Sequence, residues 1–362
     1  MKIGIFTQPL KSNYGGILQN YAMQIVLKRM GHEPWTIDFL RFTWFDWFVA
    51  VAKVAILKCL GRKANYPKSP TKVQRLENPL RRFALKNIQL TQPRVKYPNK
   101  SILRSYGFGA LLVGSDQTWR PMYNGKIYDM YFLLAEGMNV KRLAYAASFG
   151  TDQWEYTPEQ EAECARLAKQ FDAISVREAS GVGLCKEHFD VEATHVLDPT
   201  LLLTPNDYNE LCKDIEPHEP FVFAYILDLT EQKVAEIKAF AEAKGLPFFI
   251  KSADADISDV DSIELWLSYF RDAAYVITDS FHGTAFSINY NKDFFVFLNE
   301  QRGNSRFDSL LNLFNLNDRV VTSVNPEKTS INWTEVNQLL NGERERCETW
   351  LEIHLNNIKI SS

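Results

Sequence analysis

Cysteine is scarce and scattered. The five residues Cys59, Cys164, Cys185, Cys212 and Cys347 form no CxxC pair and no Cys/His spacing of a zinc site. Their odd number and dispersal suit reduced thiols and argue against a disulfide framework or a structural metal. Net charge is nearly absent as well, at −3 over 362 residues, which removes any reason to expect a nucleic-acid partner. Any anionic ligand must then be held by local basic groups. The opening "MKIGIFTQPL" lacks the long apolar core of a secretory leader, so a cytoplasmic chain beginning at its first strand is expected. There is no Walker motif, full GxGxxG or HExxH, and no Ser-His-Asp order or DxD sugar-nucleotide motif stands out, so no single motif assigns an activity.

What is present is a rhythm. Hydrophobic residues make up 46% and charged ones 23%, a soluble globular composition, and the length points to two domains. The chain opens with an apolar strand "KIGIFT", a polar glycine-bearing loop "QPLKSNYGG", a helical "ILQNYAMQIVLKRMG" and a strand "HEPWTIDF". A β-loop-α-β start predicts a parallel doubly wound sheet. "FGALLVGSDQTW", "RLAYAASFG" and "FDAISVREASG" continue it, each a short apolar strand ending in a small or polar cluster. "VLDPTLLLTP" carries two prolines and reads as a connection between domains. A second alternating series follows through "PFVFAYIL", "LPFFIKS", "AAYVIT" and "DFFVFL".

The predicted fold class is therefore α/β, with two doubly wound, Rossmann-like domains facing a cleft. The expected boundaries are 1–195 for the first, with an insertion at about 42–75, then 196–330 for the second. Residues 331–362 are expected to form a polar-faced helix that packs back on the structure.

The insertion breaks the rhythm. "FTWFDWFVAVAKVAILKCLGRK", residues 42–63, has aromatic-rich turns and an apolar run interrupted by Lys53 and Lys58, then Arg62 and Lys63. The unbroken stretch falls well short of the ~20 residues needed to span a bilayer. It is either an interfacial helix making peripheral membrane contact, or a helix packed on the first domain or on a second subunit.

Chemistry gathers at the predicted strand ends. In "ITDSFHGTAFS", His282 follows a buried-looking strand, Gly283 permits close backbone approach, and a helix start attracts anions. An imidazole there is placed to transfer a proton to a bound anion; its alternative is a satisfied core histidine. Arg177 in "ISVREASG" offers a planar fork for a carboxylate or phosphate, or else an ion pair with Glu178 or another acid. Ser115 and Asp116 in "VGSDQTW" supply either a general base over a cleft or a helix N-cap. Asn13, Gly15 and Gly16 form a loop able to admit a ligand. His32, His188, His195, His218 and His354 lie in polar or boundary contexts and read as structural or exposed.

Together, "YGGILQNYA", "VGSDQTW", "YAASFG", "ISVRE", "HVLDPTLLL" and "TDSFHGTAFSI" resemble the polysaccharide pyruvyl transferase family, from the first strand to about residue 320. The resemblance implies a GT-B-like fold. It also implies transfer of a pyruvyl group from phosphoenolpyruvate to two sugar hydroxyls, forming a cyclic ketal on a capsular, cell-wall or exopolysaccharide unit. By this likeness His282 is the donor-site histidine and Arg177 an anion-binding arginine. Some family members have an arginine where this chain has Ser280, and others a lysine where it has "NEQRGNSRF", so Arg302 or Arg306 would supply the missing charge.

The resulting expectation has His282 and Asp116 as catalytic acid and base. Arg177, Ser280, Gly283, Arg302 and Arg306 would be on phosphoenolpyruvate, and Asn13, Gly15, Gly16, Ser115 and Gln117 on the sugar acceptor, which is free, nucleotide-linked or lipid-linked. No metal or cofactor is expected beyond the donor substrate. The competing readings are a nucleotide-sugar glycosyltransferase of the same fold and a non-catalytic scaffold of a polysaccharide-assembly complex.

Overall fold

The computed structural model describes the chain apart from residues 12, 40–43, 61–65, 68, 93, 95–99, 125–126, 133–137, 253–259, 299–304, 329 and 357–362. Its N-terminal part runs β1 (Lys2–Phe6), α1 (Tyr14–Arg29), β2 (Glu33–Thr36), α2 (Trp44–Cys59), α3 (Pro70–Asn87), α4 (Lys100–Tyr106), β3 (Ala110–Val113), α5 (Ile127–Tyr131), β4 (Lys141–Ala147), α6 (Pro158–Ala168), β5 (Ala173–Val176), α7 (Ala179–Leu184) and β6 (Thr194–His195). The C-terminal part runs α8 (Pro205–Asn209), β7 (Val222–Ile226), α9 (Glu231–Lys244), β8 (Phe248–Ser252), α10 (Ile263–Asp272), β9 (Tyr275–Thr278), α11 (Phe281–Asn289), β10 (Asp293–Phe297), α12 (Ser305–Leu313), β11 (Val320–Val321) and α13 (Trp333–Asn356).

The strands form two parallel sheets, ordered β2-β1-β3-β4-β5-β6 and β11-β10-β9-β7-β8. Strands buried on both faces need continuous apolar runs, which "ALLV" of β3 and "VFAYI" of β7 supply. Alternate residues serve different cores. Ile3 and Ile5 of β1, Leu112 of β3, Phe223 of β7 and Val276 of β9 belong to one apolar cluster that runs unbroken through both halves. Phe6, Leu111 and Val113 face a second cluster on the outer side of the first sheet, and Val222, Ala224 and Ile277 a third outside the second sheet.

In a parallel sheet the strand order reverses where successive crossovers leave in opposite directions, and the divergence opens a crevice beyond the carboxyl ends. Here the reversals fall between β1 and β3 in the first sheet, and between β7 and β9 in the second. The two crevices face each other. Helix α13 returns across both halves. Its Arg344 donates from Nε to Leu201 O and from Nη2 to Leu203 O and Asn289 Oδ1, while Lys141 donates from Nζ to the carbonyls of His354 and Leu355.

Candidate active site

A cavity of ≈ 220 Å³ lies where the two crevices meet. Asn13, Gly15, Asp116, Gln117 and Tyr123 line it from the first half; Tyr225, Leu227, Asp279, Ser280, Phe281, His282, Arg306 and Phe307 line it from the second.

His282 is in the first turn of α11, whose start is fixed by Ser280: its Oγ accepts the Gly283 N–H at 3.3 Å. The ring is held on its other side by Gly15. A Cβ added to Gly15 would stand 2.0 Å from the imidazole, so only glycine lets the first turn of α1 approach this closely. Gly15 and Gly16 therefore lie within a helix, not in the loop expected from the sequence. Asn13 makes this possible, because its Oδ1 caps α1 by accepting the Gly16 N–H at 3.0 Å. From the other end of its amide, Asn13 Nδ2 donates to Asp116 Oδ2 at 3.5 Å.

Asp116 has a left-handed backbone, φ +80°, and no helix starts at it, so the N-cap alternative does not apply. Its Oδ1 accepts the Gln117 N–H at 2.8 Å. A non-glycine residue with positive φ is uncommon, and such strain concentrates at functional sites. The turn is tied down by Ser148 N–H, which donates to Asp116 O at 3.2 Å.

Beneath this wall lies a buried polar group that the sequence reading missed. Asp198, in "HVLDPT", has Oδ1 accepting from the Thr200 N–H and hydroxyl at 3.0 and 2.7 Å. Its Oδ2 accepts from Ser115 Oγ at 2.6 Å and Arg177 Nη1 at 3.0 Å, and lies 3.8 Å from His282 Nε2. Burial acts to raise the Asp198 pKa, but His282, Arg177 and Ser115 together outweigh it and hold the carboxyl well below the usual range. The available signal was an acid just before a proline, read only as part of a connector. Asp279 was also missed. It joins the β7 and β9 ends by accepting the Leu227 and Asp228 N–H groups at 2.5 and 3.1 Å, and pairs with Lys233 Nζ at 2.7 Å.

Arg177 and Ser115 thus sit under the cavity wall, not on it. The ion-pair alternative for Arg177 is the one observed, with Asp198 as the acid in place of Glu178. Its guanidinium lies 4.5 Å from the Phe281 ring centroid, and its buried Nε and Nη2 have no hydrogen-bond partner among the described residues. Gly283 likewise does not line the cavity. A side chain there would collide with Thr278 Oγ1 at 2.3 Å, so its role is helix-strand packing. Gly16 faces Asn13 and Asp116. Arg302 lies outside the described residues.

Arg306 supplies the cavity's cationic wall. Burial, and after it the charge of Arg177, lower its pKa to about 10, which leaves it cationic at neutral pH. The Arg177 and Arg306 guanidinium groups lie 4.5 and 5.9 Å from the centroid of the Phe281 ring.

The polysaccharide pyruvyl transferase family matches the sequence over residues 13–301, about four-fifths of its length. The chain belongs to that family. This pyruvyl transferase family member is therefore a transferase, and the residues lining its cavity fall inside the matched region except Arg306 and Phe307, which lie just beyond it. A comparison with curated proteins gives no match. Among solved structures, the UDP-GlcNAc 2-epimerase of Methanocaldococcus jannaschii in complex with UDP-GlcNAc and UDP is similar at 10% identity and a TM-score of 0.50, covering 99% of this chain and 100% of that one. S. aureus MnaA with UDP is similar at 9% identity and a TM-score of 0.48, covering 100% and 98%. Such likeness concerns the fold alone, which is GT-B-like.

Proposed function

We propose that this family member transfers the pyruvyl group of phosphoenolpyruvate to two hydroxyls of one sugar unit, forming a cyclic ketal on a capsular, cell-wall or exopolysaccharide component. The observation that carries the reading is the meeting of a histidine, a carboxylate and a buried arginine on one small cavity built from both halves. At ≈ 220 Å³ the cavity falls below the ~300–1,000 Å³ of sites for drug-sized ligands, which suits a compact dianion better than a nucleotide sugar.

In this reading the phosphate and carboxylate of the donor lie against Arg306 and the N–H groups at the start of α11. His282 delivers a proton to the methylene carbon C3, leaving cationic character at C2. A sugar hydroxyl attacks C2 and Asp116 accepts its proton. The C2–O bond to phosphate then breaks, phosphate departs with the electron pair, and the second hydroxyl closes the ketal as its proton is taken up by the departing phosphate. The pyruvyl carboxylate is retained. Arg177 and Asp198 act from behind, fixing Ser115 and the floor under Phe281. Asn13, Gln117 and Tyr123 provide polar contacts for the acceptor.

Thermal unfolding with phosphoenolpyruvate and, separately, with UDP tests the donor. Phosphoenolpyruvate should raise the melting temperature of the wild type, Arg306→Ala should abolish the rise, and UDP should leave it unchanged. A rise with UDP alone would refute the donor assignment in favour of a nucleotide-sugar transferase.

A further inference from the structure

Helix α2 leaves its apolar residues in solvent. None of its described side chains is buried, and Trp44, Phe45 and Phe48 are 52%, 74% and 60% exposed. The exposed positions Phe45, Phe48, Val49, Ala52, Ile56, Cys59 and Leu60 follow helical spacing and form one outward stripe. Lys53 borders that stripe and Lys58 stands further round the helix, next to Trp47; both are exposed, and Lys58 Nζ lies 4.3 Å from the centroid of the Tyr66 ring. The opposite side, Trp47, Ala50, Val54 and Leu57, is half-buried. One side of α2 is thus partly covered and the other is open to solvent.

The surrounding sequence is strongly charged. Residues 41–104 hold fifteen lysines and arginines against two acids, Asp46 and Glu77, although the whole chain nets −3. An apolar stripe of aromatic and aliphatic residues, on a helix that also carries exposed lysines within a polybasic segment, is the chemistry of a helix lying in an anionic lipid interface. Its lysines carry their charge to the headgroups while their stems cover acyl chain. At 16 residues the helix is about 24 Å long, and among the described residues no helix is long and apolar enough to cross a membrane. A second copy of the chain fits the stripe poorly, because a two-fold contact would set one polybasic segment against another.

We infer that α2 docks this protein on the surface of a bilayer containing anionic phospholipid.

Co-sedimentation with phosphatidylglycerol-phosphatidylcholine vesicles, against phosphatidylcholine alone, tests this at low and high salt. The wild type should pellet with the anionic vesicles, less so at high salt. Phe45→Ser/Phe48→Ser/Ile56→Ser should lower partitioning at least tenfold with an unchanged circular dichroism spectrum. Lys53→Glu/Lys58→Glu, an independent variant should the first not fold, should lower it by about fivefold or more per lysine. Absence of pelleting with anionic vesicles, equal pelleting with phosphatidylcholine alone, or unchanged pelleting of both variants would overturn the inference. So would a concentration-dependent dimer that the serine variant abolishes without any vesicle binding by the wild type.

Discussion

A methyl group at Gly15 tests how the histidine is held. Alanine in a helix interior ordinarily gains about 0.5–1 kcal/mol over glycine, yet here its Cβ would fall 2.0 Å from the His282 ring. The ring must turn away, because α1 is fixed by its Asn13 cap. Gly15→Ala should therefore cost on the order of 100-fold in phosphate release from phosphoenolpyruvate with acceptor present, with the circular dichroism spectrum retained. Turnover at the wild-type rate would show that this contact does not set the histidine. Asp198 makes a prediction in pH. Its folded-state pKa lies below the unfolded value of about 3.9, so its pairing contributes stability that is complete above that pH and is lost as pH falls below it. Asp198→Asn leaves the buried Arg177 without its counter-charge and should cost about 3–5 kcal/mol at pH 7. The gap between wild type and variant, read from urea midpoints, should narrow as pH drops from 5 to 3. A gap independent of pH would mean that Asp198 is not ionised in the native state.

At the scale of elements, the strands were the legible part. "ALLV", "LAYAA", "AISV", "VFAYI" and "YVIT" are largely apolar, since each is mostly buried on both faces, and each is followed by the polar cluster that reaches the crevice or its floor. That is why Asp116 and His282 could be named from sequence: a strand end in a parallel sheet is a fixed address. What could not be read is depth below that address. Arg177 follows β5 just as Asp116 follows β3, but an acid 21 residues later folds back to claim its guanidinium, and no local pattern announces such a pair. Asp198 itself was hidden in a proline-bearing connector, where an acid is usually only a turn former. The two-residue strands β6 and β11 carry too few residues for any periodicity. The first turn of α1 misread as loop because two glycines are poor helix formers, and the cap and the histidine that require them are respectively local and 267 residues away.

At the scale of the molecule, the two halves are not loosely tethered. Tyr14, the first residue of α1, stacks on Trp266 of α10 at 5.1 Å between ring centroids, and its hydroxyl donates to Asp261 O at 3.0 Å. This contact belongs to the apolar cluster that runs through both sheets, so the cleft is held at a set width by the same packing that holds the fold. It is also one residue from Gly15, and hence from His282. Stability and catalysis should therefore fall together when the stack is removed, and separate when only the hydroxyl is. Tyr14→Phe keeps the stack and should lose about 1 kcal/mol with little change in turnover. Tyr14→Ala should lose about 3–5 kcal/mol and, because α1 is then free to drift from α11, at least tenfold in phosphate release. Urea denaturation and turnover on the same two variants decide the matter. If Tyr14→Ala unfolds more easily but turns over like the wild type, the cleft geometry is set elsewhere, and α13, which is bonded to the second half through Arg344 and to the first through Lys141, becomes the element that sets it.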